Sequence, residues 1–547
     1  MLRAIAVAVA ALALVAPAAA ANARYAVGLA DGADRAAVRA ELERRTGAAV
    51  ESLAPLPALV TTARSFRSLA GIPGVRYVER LAERRLAFVP NDPLVARQWY
   101  LTQNRSYDAW DTWELVPPVA PVRVAVIDSG IDATHPELGP RLAAARSFVG
   151  GSARTDTQGH GTFVAGLIAA GANDGVGIAG LSPYVELVVA KVVAPQRTIS
   201  VEAEAKAIRW AVDSGARVIN MSLGGLRDPS DSGRDSFSRL EADAIAYAVR
   251  KGAVVAAAVG NADQSPRQPW GYASWPAALP HVIGVSALAR SGASPTFSNR
   301  DALYNDIAAP GQEILSTFPL ALTGERPACA EQGYSSCGSE EYQQAEGTSF
   351  ATPQVSAAAA TLLATRPELT ADQVTWVLQR SAVDASAANG CTSCLLGRDR
   401  LTGWGRLDTT EALAALAGPI AGPDRHEPND DAGGRAFKLW GARRQLEATL
   451  DYWDDQNDVY EMYLRAGQKL FVSLSATSTM DPALALWKPG TISVDDLARQ
   501  DQRVRLSTRP GPNEHLGYRA VTAGWHYVHV KLAAEASGPY RLAFVKR

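Results

Sequence analysis

Cysteine is scarce: the 547-residue chain has four, Cys329, Cys337, Cys391 and Cys394. That excludes a disulfide-dense scaffold, and Cys391-Thr392-Ser393-Cys394 lacks the second Cys-x-x-Cys or His pair that a structural zinc site needs nearby. The count is even and each pair lies in one short stretch. For an exported chain this favours two local disulfides, Cys329 with Cys337 and Cys391 with Cys394, over the two long-range connectivities. Histidine is also rare, with seven in the chain, and no His-Glu-x-x-His occurs, so a zinc hydrolase of that type is not supported. Nor is there an excess of one charge: the formal net charge of -2 offers no electrostatic footprint for a nucleic-acid partner. Long apolar runs are missing beyond the N-terminus, where none reaches the roughly 18 residues of a membrane span.

The first residues differ from the rest. Arg3 is followed by no charge until Arg24, with an Ala/Val/Leu-rich stretch from Ala4 to Ala16 and small residues at Ala18-Ala19-Ala20 and Ala21-Asn22-Ala23. This composition reads as a secretory signal over 1–23, removed on export. Pro17 and the two A-x-A sites weigh against an uncleaved anchor. The expected location is extracellular or periplasmic, with no stable membrane span in the mature form.

Three patterns divide the remainder of the chain. Arg24 to Ala30 alternates like a strand, Asp34 to Thr46 has helical spacing, Leu53 to Thr62 reads as a strand, Ser65 to Gly71 as a short helix and Val75 to Leu81 as a strand. Together they make a small β-α-β-β-α-β unit over 24–90, ending in an exposed, cleavable stretch from Arg84 to Asp92. Over 91–417 short apolar runs (Val122 to Ile127, Val185 to Val193, Val218 to Met221, Val254 to Val259, Val282 to Val285) alternate with helical segments at Thr162 to Ala170, Val201 to Asp213 and Glu241 to Lys251. Continuous Val/Ala/Ile runs imply strands buried on both faces, hence an α/β fold with a mostly parallel sheet flanked by helices. The Gly/Pro-rich segment 418–424 reads as a linker, and seven alternating segments over 425–547 predict a C-terminal β-sandwich.

Chemistry concentrates in three motifs: Asp128-Ser129-Gly130, His160-Gly161-Thr162 and Gly347-Thr348-Ser349-Phe350-Ala351-Thr352-Pro353. Asp128 ends a strand, where such sheets bind ligands. His160 opens a helix, with Gly159 and Gly161 leaving room for a substrate chain. Ser349 precedes the apolar run Val355 to Leu363 and so lies at a helix N-terminus, where the dipole favours developing negative charge. Pro353 is tolerable there because an early helical N–H needs no intrahelical partner. Alone, Asp128 has a plainer meaning as a cap or turn residue and Ser349 as an N-cap serine. In combination and in this order they resemble the Asp, His, Ser arrangement of the subtilisin-like serine proteases, the subtilases, over roughly Asp92 to Leu416.

That resemblance implies a secreted serine endopeptidase acting on protein or peptide substrates, with Ser349 as nucleophile, His160 as general base and acid, and Asp128 orienting the imidazole. It places Asn261, in Val259-Gly260-Asn261, as the oxyanion donor. Ser222, Leu223, Gly224 and Gly225 resemble the segment that pairs with an extended substrate, and Ser274 falls near the floor of the primary specificity pocket. No charge stands at that floor, which favours uncharged, apolar or aromatic side chains before the cut. The loop from Ala172 to Gly180 resembles one that wraps a structural calcium, with Asp174, Glu137 and Asp92 as ligands, although the family usually has Asp where Glu137 stands. No cofactor is implied for catalysis.

The N-terminal unit resembles a subtilisin propeptide, which implies an intramolecular inhibitor and folding assistant and a self-processing zymogen. The C-terminal unit resembles the bacterial pre-peptidase C-terminal domain at His426-Glu427-Pro428-Asn429-Asp430-Asp431-Ala432 and Asp454 to Tyr460, where acid-rich turns are either plain turns or calcium ligands. A monomer is expected. The competing expectation from another class is a catalytically silent scaffold that binds surface polymers or proteins through its C-terminal domain.

Overall fold

The computed structural model describes residues 23–63, 68–69, 71–81, 88–113, 121–182, 184–262, 265–322, 334–336, 341–420, 424–427, 429–433, 436–451, 455–491, 493–494, 500–532 and 536–547. Two compact units divide between Leu86 and Ala87. The expected signal segment lies outside the described residues except for Ala23, which starts the first strand.

In the N-terminal unit, β1 (Ala23–Leu29), β2 (Val50–Ser52), β3 (Ala58–Ala63) and β4 (Val75–Arg80) form an antiparallel sheet in the order β2-β3-β1-β4. Helix α1 (Arg35–Thr46) starts at Asp34, whose carboxylate accepts from the Ala36 and Ala37 amides, and stops at Gly47 in the left-handed region. Its Val38 and Leu42 bury against Tyr25, Val27, Leu59, Leu69 and Ile72. The strand expected from Leu53 to Thr62 begins only at Ala58, because Pro55 and Pro57 have no N–H to give to a ladder, and a separate strand at Val50–Ser52 precedes it unforeseen. The short helix expected at Ser65 to Gly71 falls largely outside the described residues.

The second unit begins with α2 (Trp99–Gln103) and α3 (Ser106–Trp113) and is built on seven parallel strands. These are β5 (Val122–Asp128), β6 (Leu142–Ser147), β7 (Val185–Lys191), β8 (Val218–Met221), β9 (Val254–Ala258), β10 (Val282–Leu288) and β11 (Ile307–Pro310), in the order β11-β10-β9-β8-β5-β7-β6. All five apolar runs are strands, as expected from their burial on both faces. Edge strands β6 and β11 are not foreseen: no residue of β6 is fully buried, and β11, though buried throughout, has only four residues.

Alternation along β5 divides the interior. Val124 and Val126 join one core with α4 (His160–Ala169), α7 (Thr348–Thr365) and α8 (Ala371–Arg380), while Ala125 and Ile127 join another with α5 (Val201–Asp213) and α6 (Arg239–Arg250). A small sheet of β12 (Ile314–Thr317), β13 (Tyr334–Ser336) and β14 (Tyr342–Ala345) and helix α9 (Thr409–Ala415) complete this part. Beyond it lie β15 (Phe437–Lys438), β16 (Arg443–Asp451), β17 (Asn457–Leu464), β18 (Lys469–Ala476), β19 (Pro482–Trp487), β20 (Arg503–Ser507), β21 (Asn513–Arg519), β22 (Gly524–Leu532) and β23 (Ser537–Lys546). They form two sheets, β15-β17-β22-β19-β20 and β16-β23-β18-β21, around a core that includes Tyr460, Leu470, Leu484, Val528 and Phe544. Strand-forming alternation is clearest in β18, where exposed and buried residues alternate from Lys469 to Leu474. Among the described residues no helix is long and apolar enough to cross a membrane.

Between α5 and α6 the buried carboxyls of Glu204 and Glu241 lie beside each other. Burial pushes Glu204 up to about 7, and burial with the neighbouring Glu204 charge pushes Glu241 up to about 9. Because the folded state holds protons that the unfolded chain releases near pH 4.3, this pair's contribution to stability is lost as pH rises from there toward about 9. Glu241→Gln should flatten that loss: calorimetry should find the melting temperature of the variant, relative to the parent, rising between about pH 5 and pH 9. Equal pH slopes would show that the pair carries no such linkage.

Candidate active site

Asp128 is the last residue of β5 and is 1% exposed, so its carboxylate is presented from the sheet's C-terminal edge without bulk water around it. His160 is the first residue of α4. Its Nδ1 lies 2.9 Å from both Asp128 carboxylate oxygens. Burial opposes charging of the ring, but the Asp128 carboxylate, with Asp156 behind it, outweighs burial and holds the His160 pKa above its usual value. Phe350 packs against the ring at a centroid distance of 5.4 Å, and Phe163 backs Phe350 at 4.6 Å.

Sequence reasoning missed Asp156. This buried carboxylate accepts from the Gln158 and Gly159 amides through Oδ1 and from the Thr162 amide and hydroxyl through Oδ2, at 2.8 to 3.0 Å. It also accepts from Ser129 Oγ at 2.9 Å, and Ser129 Oγ in turn accepts from the Gly161 amide at 2.9 Å. One carboxylate therefore caps α4 and ties it to the residue after Asp128. The available signal was an acid four residues ahead of His160, outside the usual N-cap position, which Gly159 occupies.

The glycines flanking His160 serve packing, not the room for substrate expected of them. A Cβ on Gly161 would stand 2.1 Å from the Gly130 carbonyl oxygen and 3.2 Å from Asp128 Cβ. Gly159 has φ 90°, and its Cβ would strike the Phe318 ring.

Ser349 is the second residue of α7, an 18-residue helix buried along most of its length. The reason for tolerating Pro353 also differs from the expected one. Its absent N–H would have bonded the Ser349 carbonyl four residues earlier, and that carbonyl instead accepts from Ser222 Oγ at 2.7 Å. Ser222 Oγ is oriented by Asn220 Nδ2 at 3.0 Å, and Asn220 Oδ1 accepts from Ser356 Oγ at 2.8 Å. A chain of polar groups thus binds the end of β8 to the Ser349 backbone. Ser349 Oγ itself donates to the Ser222 carbonyl at 3.2 Å.

Asp128, His160, Ser349, Asn261, Ser222, Leu223, Gly224 and Ser274 all line one cleft of about 610 Å³. Asn261 Oδ1 accepts from both the amide and the hydroxyl of Thr348 at 3.0 Å, which assigns Nδ2 as the donor turned to the cleft. Gly260 permits this approach, since a Cβ there would meet Ser274 Oγ at 2.2 Å and Asn299 Nδ2 at 2.7 Å. Gly225 stands apart: its amide and carbonyl both pair with Trp275, so the free backbone edge ends at Gly224. Arg197 and Glu346 also line the cleft and were not foreseen.

The loop residues expected to hold a cation are partly gathered. Asp92 accepts from the Asn173 and Asp174 amides at 2.8 and 3.2 Å, while Glu137 Oε1 accepts from the Ile178 amide at 2.9 Å and from Tyr342 Oη at 3.1 Å. Among the described residues Glu137 Oε2 is buried without a hydrogen-bond partner, and burial pushes this carboxyl up to about 7. Asp174 Oδ2 and Glu137 Oε2 converge on Gly171, 2.1 and 3.2 Å from where a Cβ would sit. An orphaned buried oxygen facing a second carboxylate suits a hard cation. Far from this loop, Cys391 and Cys394 form a bonded pair with Cα atoms 5.3 Å apart, whereas Cys329 and Cys337 lie outside the described residues.

A subtilase-family (Peptidase_S8) model matches residues 120–405, which include all three motifs. The chain is 33% identical over 297 residues to the thermophilic serine proteinase of Bacillus sp. (strain AK1), covering 54% of this chain and 65% of that one. It is 31% identical over 277 residues to thermitase of Thermoactinomyces vulgaris, covering 50% of this chain and 85% of thermitase. Identity to subtilisin Savinase of Lederbergia lenta is 34% over 282 residues, covering 51% of this chain and 90% of that protein. With its strand-end Asp128, helix-start His160 and helix-start Ser349 facing one cleft, the chain belongs to the subtilase family of serine peptidases.

Proposed function

We propose that the chain is an exported serine endopeptidase made as a self-processing zymogen, working through Asp128, His160 and Ser349 with Asn261 as oxyanion donor. The observation that carries this reading is the two-oxygen contact of Asp128 with His160 Nδ1 at 2.9 Å, which fixes the tautomer that leaves Nε2 as the base. Ser349 Oγ turns from the Ser222 carbonyl to His160 Nε2, loses its proton there and attacks the scissile carbonyl. The imidazolium, stabilised by Asp128, returns the proton to the leaving amine, and a water repeats the sequence to release the acyl group. Asn261 Nδ2 and the Ser349 amide hold the oxyanion. An extended substrate lies along Ser222 to Gly224, with its side chain toward uncharged Ser274.

In this reading the unit over 24–90 is the inhibitor and folding assistant, removed after export, and the sandwich over 425–547 is an accessory domain behind the linker 418–424. Asp174 and Glu137, with Asp92 supporting the loop, hold a structural calcium that stiffens the segment after α4 and takes no part in catalysis. The support is the orphaned Glu137 Oε2 and the Gly171 cradle.

Ser349→Ala should leave the full-length precursor uncut and abolish casein hydrolysis, measured by gel mobility and peptide release. If the variant processes and digests like the parent, the assignment to Ser349 fails. Asn261→Ala should lower kcat by ~10²–10³ with KM nearly unchanged, the loss known for removing such a donor from subtilisin.

The raised His160 pKa sets the direction of pH dependence. The base is neutral only above that pKa, so the acid limb of kcat/KM should lie above about pH 6.5. Asp128→Asn should move the limb to lower pH while cutting kcat by ~10⁴. A limb at or below that of free imidazole in the parent would contradict the Asp128 contribution.

For the calcium reading, restoring Ca²⁺ to chelator-stripped protein should raise the melting temperature of the parent but not that of Glu137→Gln. Equal Ca²⁺ effects in both proteins would remove Glu137 from any calcium site.

A further inference from the structure

Outside the catalytic cleft, the ring of His281 stands where the parallel-sheet domain meets the C-terminal sandwich. His281 precedes β10, and its side chain is 9% exposed. Nδ1 lies 2.8 Å from the carboxylate of Asp372, in the first turn of α8. Nε2 faces the other way, toward Glu427 and Asp430 of the segment that leads into the sandwich. One donor atom from each of His281, Glu427 and Asp430 falls within 4.8 Å of the other two.

His281 is ion-paired on both sides, through Nδ1 with Asp372 and through Nε2 with Asp430 Oδ2, while Glu427 stands beside this arrangement without a share in it. Among the described residues neither Nε2 nor Asp430 Oδ2 makes a directed hydrogen bond. Glu427 Oε1 is a third buried atom without one, its Oε2 being used by the Asn429 amide at 3.1 Å. With the ring neutral and its Nδ1 proton given to Asp372, Nε2, Asp430 Oδ2 and Glu427 Oε1 are three acceptors converging on one point, each with an uncompensated desolvation penalty unless a proton or a cation joins them. Asp372 meanwhile supplies what a metal-binding histidine needs behind it, a carboxylate that takes the Nδ1 proton and points the Nε2 lone pair forward.

We propose that His281, Glu427 and Asp430 form a binding site for a divalent transition ion of the zinc class, which fastens the C-terminal sandwich to the catalytic domain. One imidazole nitrogen with two carboxylate oxygens is a donor set for zinc or its first-row neighbours, whereas calcium and magnesium take oxygen ligands. Because the ligands come from both domains, the ion binds only when they are docked, and so stabilises the docked form by mass action. Val459 of β17 donates its amide to the Asn429 carbonyl, so the ligand segment is itself tied to the sandwich. This site is separate from the proposed calcium loop and from the cleft.

The test uses the full chain carrying Ser349→Ala, so that autolysis does not interfere, stripped with chelator and titrated calorimetrically with Zn²⁺ and separately with Ca²⁺. We expect one saturable Zn²⁺ site of micromolar affinity or tighter, weakened at least tenfold by His281→Ala and by the milder Glu427→Gln and Asp430→Asn. Circular dichroism confirms folding of each variant, and Co²⁺ should give a visible d–d absorption in the parent that His281→Ala removes. The proposal is overturned by the absence of a saturable Zn²⁺ site, by a Zn²⁺ affinity that His281→Ala leaves unchanged, or by Ca²⁺ displacing Zn²⁺ with the same affinity in parent and His281→Ala, which would make the site all-oxygen.

Discussion

The contact between the Asp128 carboxylate and His160 Nδ1 is the interaction to which the rest of the catalytic half is fitted. A strand end and a helix start must meet within hydrogen-bond reach, and both must keep that reach while substrate comes and goes. The meeting is possible because Gly161 has no Cβ to press on the Gly130 carbonyl. It is rigid because Asp156 binds the first turn of α4 and Ser129 together. A buried carboxylate is costly unless satisfied, and Asp156 is satisfied five times over, by four amide or hydroxyl donors on the helix side and by Ser129.

Ser349 is fixed by a different device. Proline inside a helix usually leaves a carbonyl unpaired, and here that carbonyl belongs to Ser349 and is taken up by Ser222. The apparent defect becomes a tie between α7 and the strand edge that borders the cleft. Asn220 and Ser356 extend the tie into the buried interior, where each polar group has a partner from another element. Asn261 is held in the same manner, through an acceptor bond to Thr348 beside Ser349, so His160, Ser349 and Asn261 are placed by three separate polar networks.

Legibility followed the range of the physics. Strands β5, β8 and β9 could be read from apolar runs because burial on both faces demands them, and α5 from Val201 to Asp213 because helical spacing and its Ser200 cap are local. Edge strand β6, Leu142–Ser147, was hidden because half of its surface needs no apolar residue. Asp128, His160 and Ser349 were visible through motif and order. Asp156, Asn220 and Ser356 were not, since a buried polar residue is recognisable only by the partner it meets, and each of these meets partners on other elements or in a loop.

The sequence by itself determined the kinds of groups available and their order: a strand-ending acid, a helix-opening base and serine, and a chain whose apolar rhythm changes from parallel-sheet runs to sandwich alternation. Backbone sterics and local burial suffice for that much. Only the tertiary structure decided which carbonyl Pro353 releases and who receives it, why Gly161 cannot carry a side chain, that Gly225 is spent on Trp275, and that His281 meets Glu427 and Asp430 from far along the chain. These are matters of which distant atoms share a few ångströms of low-dielectric space, and no local preference encodes them.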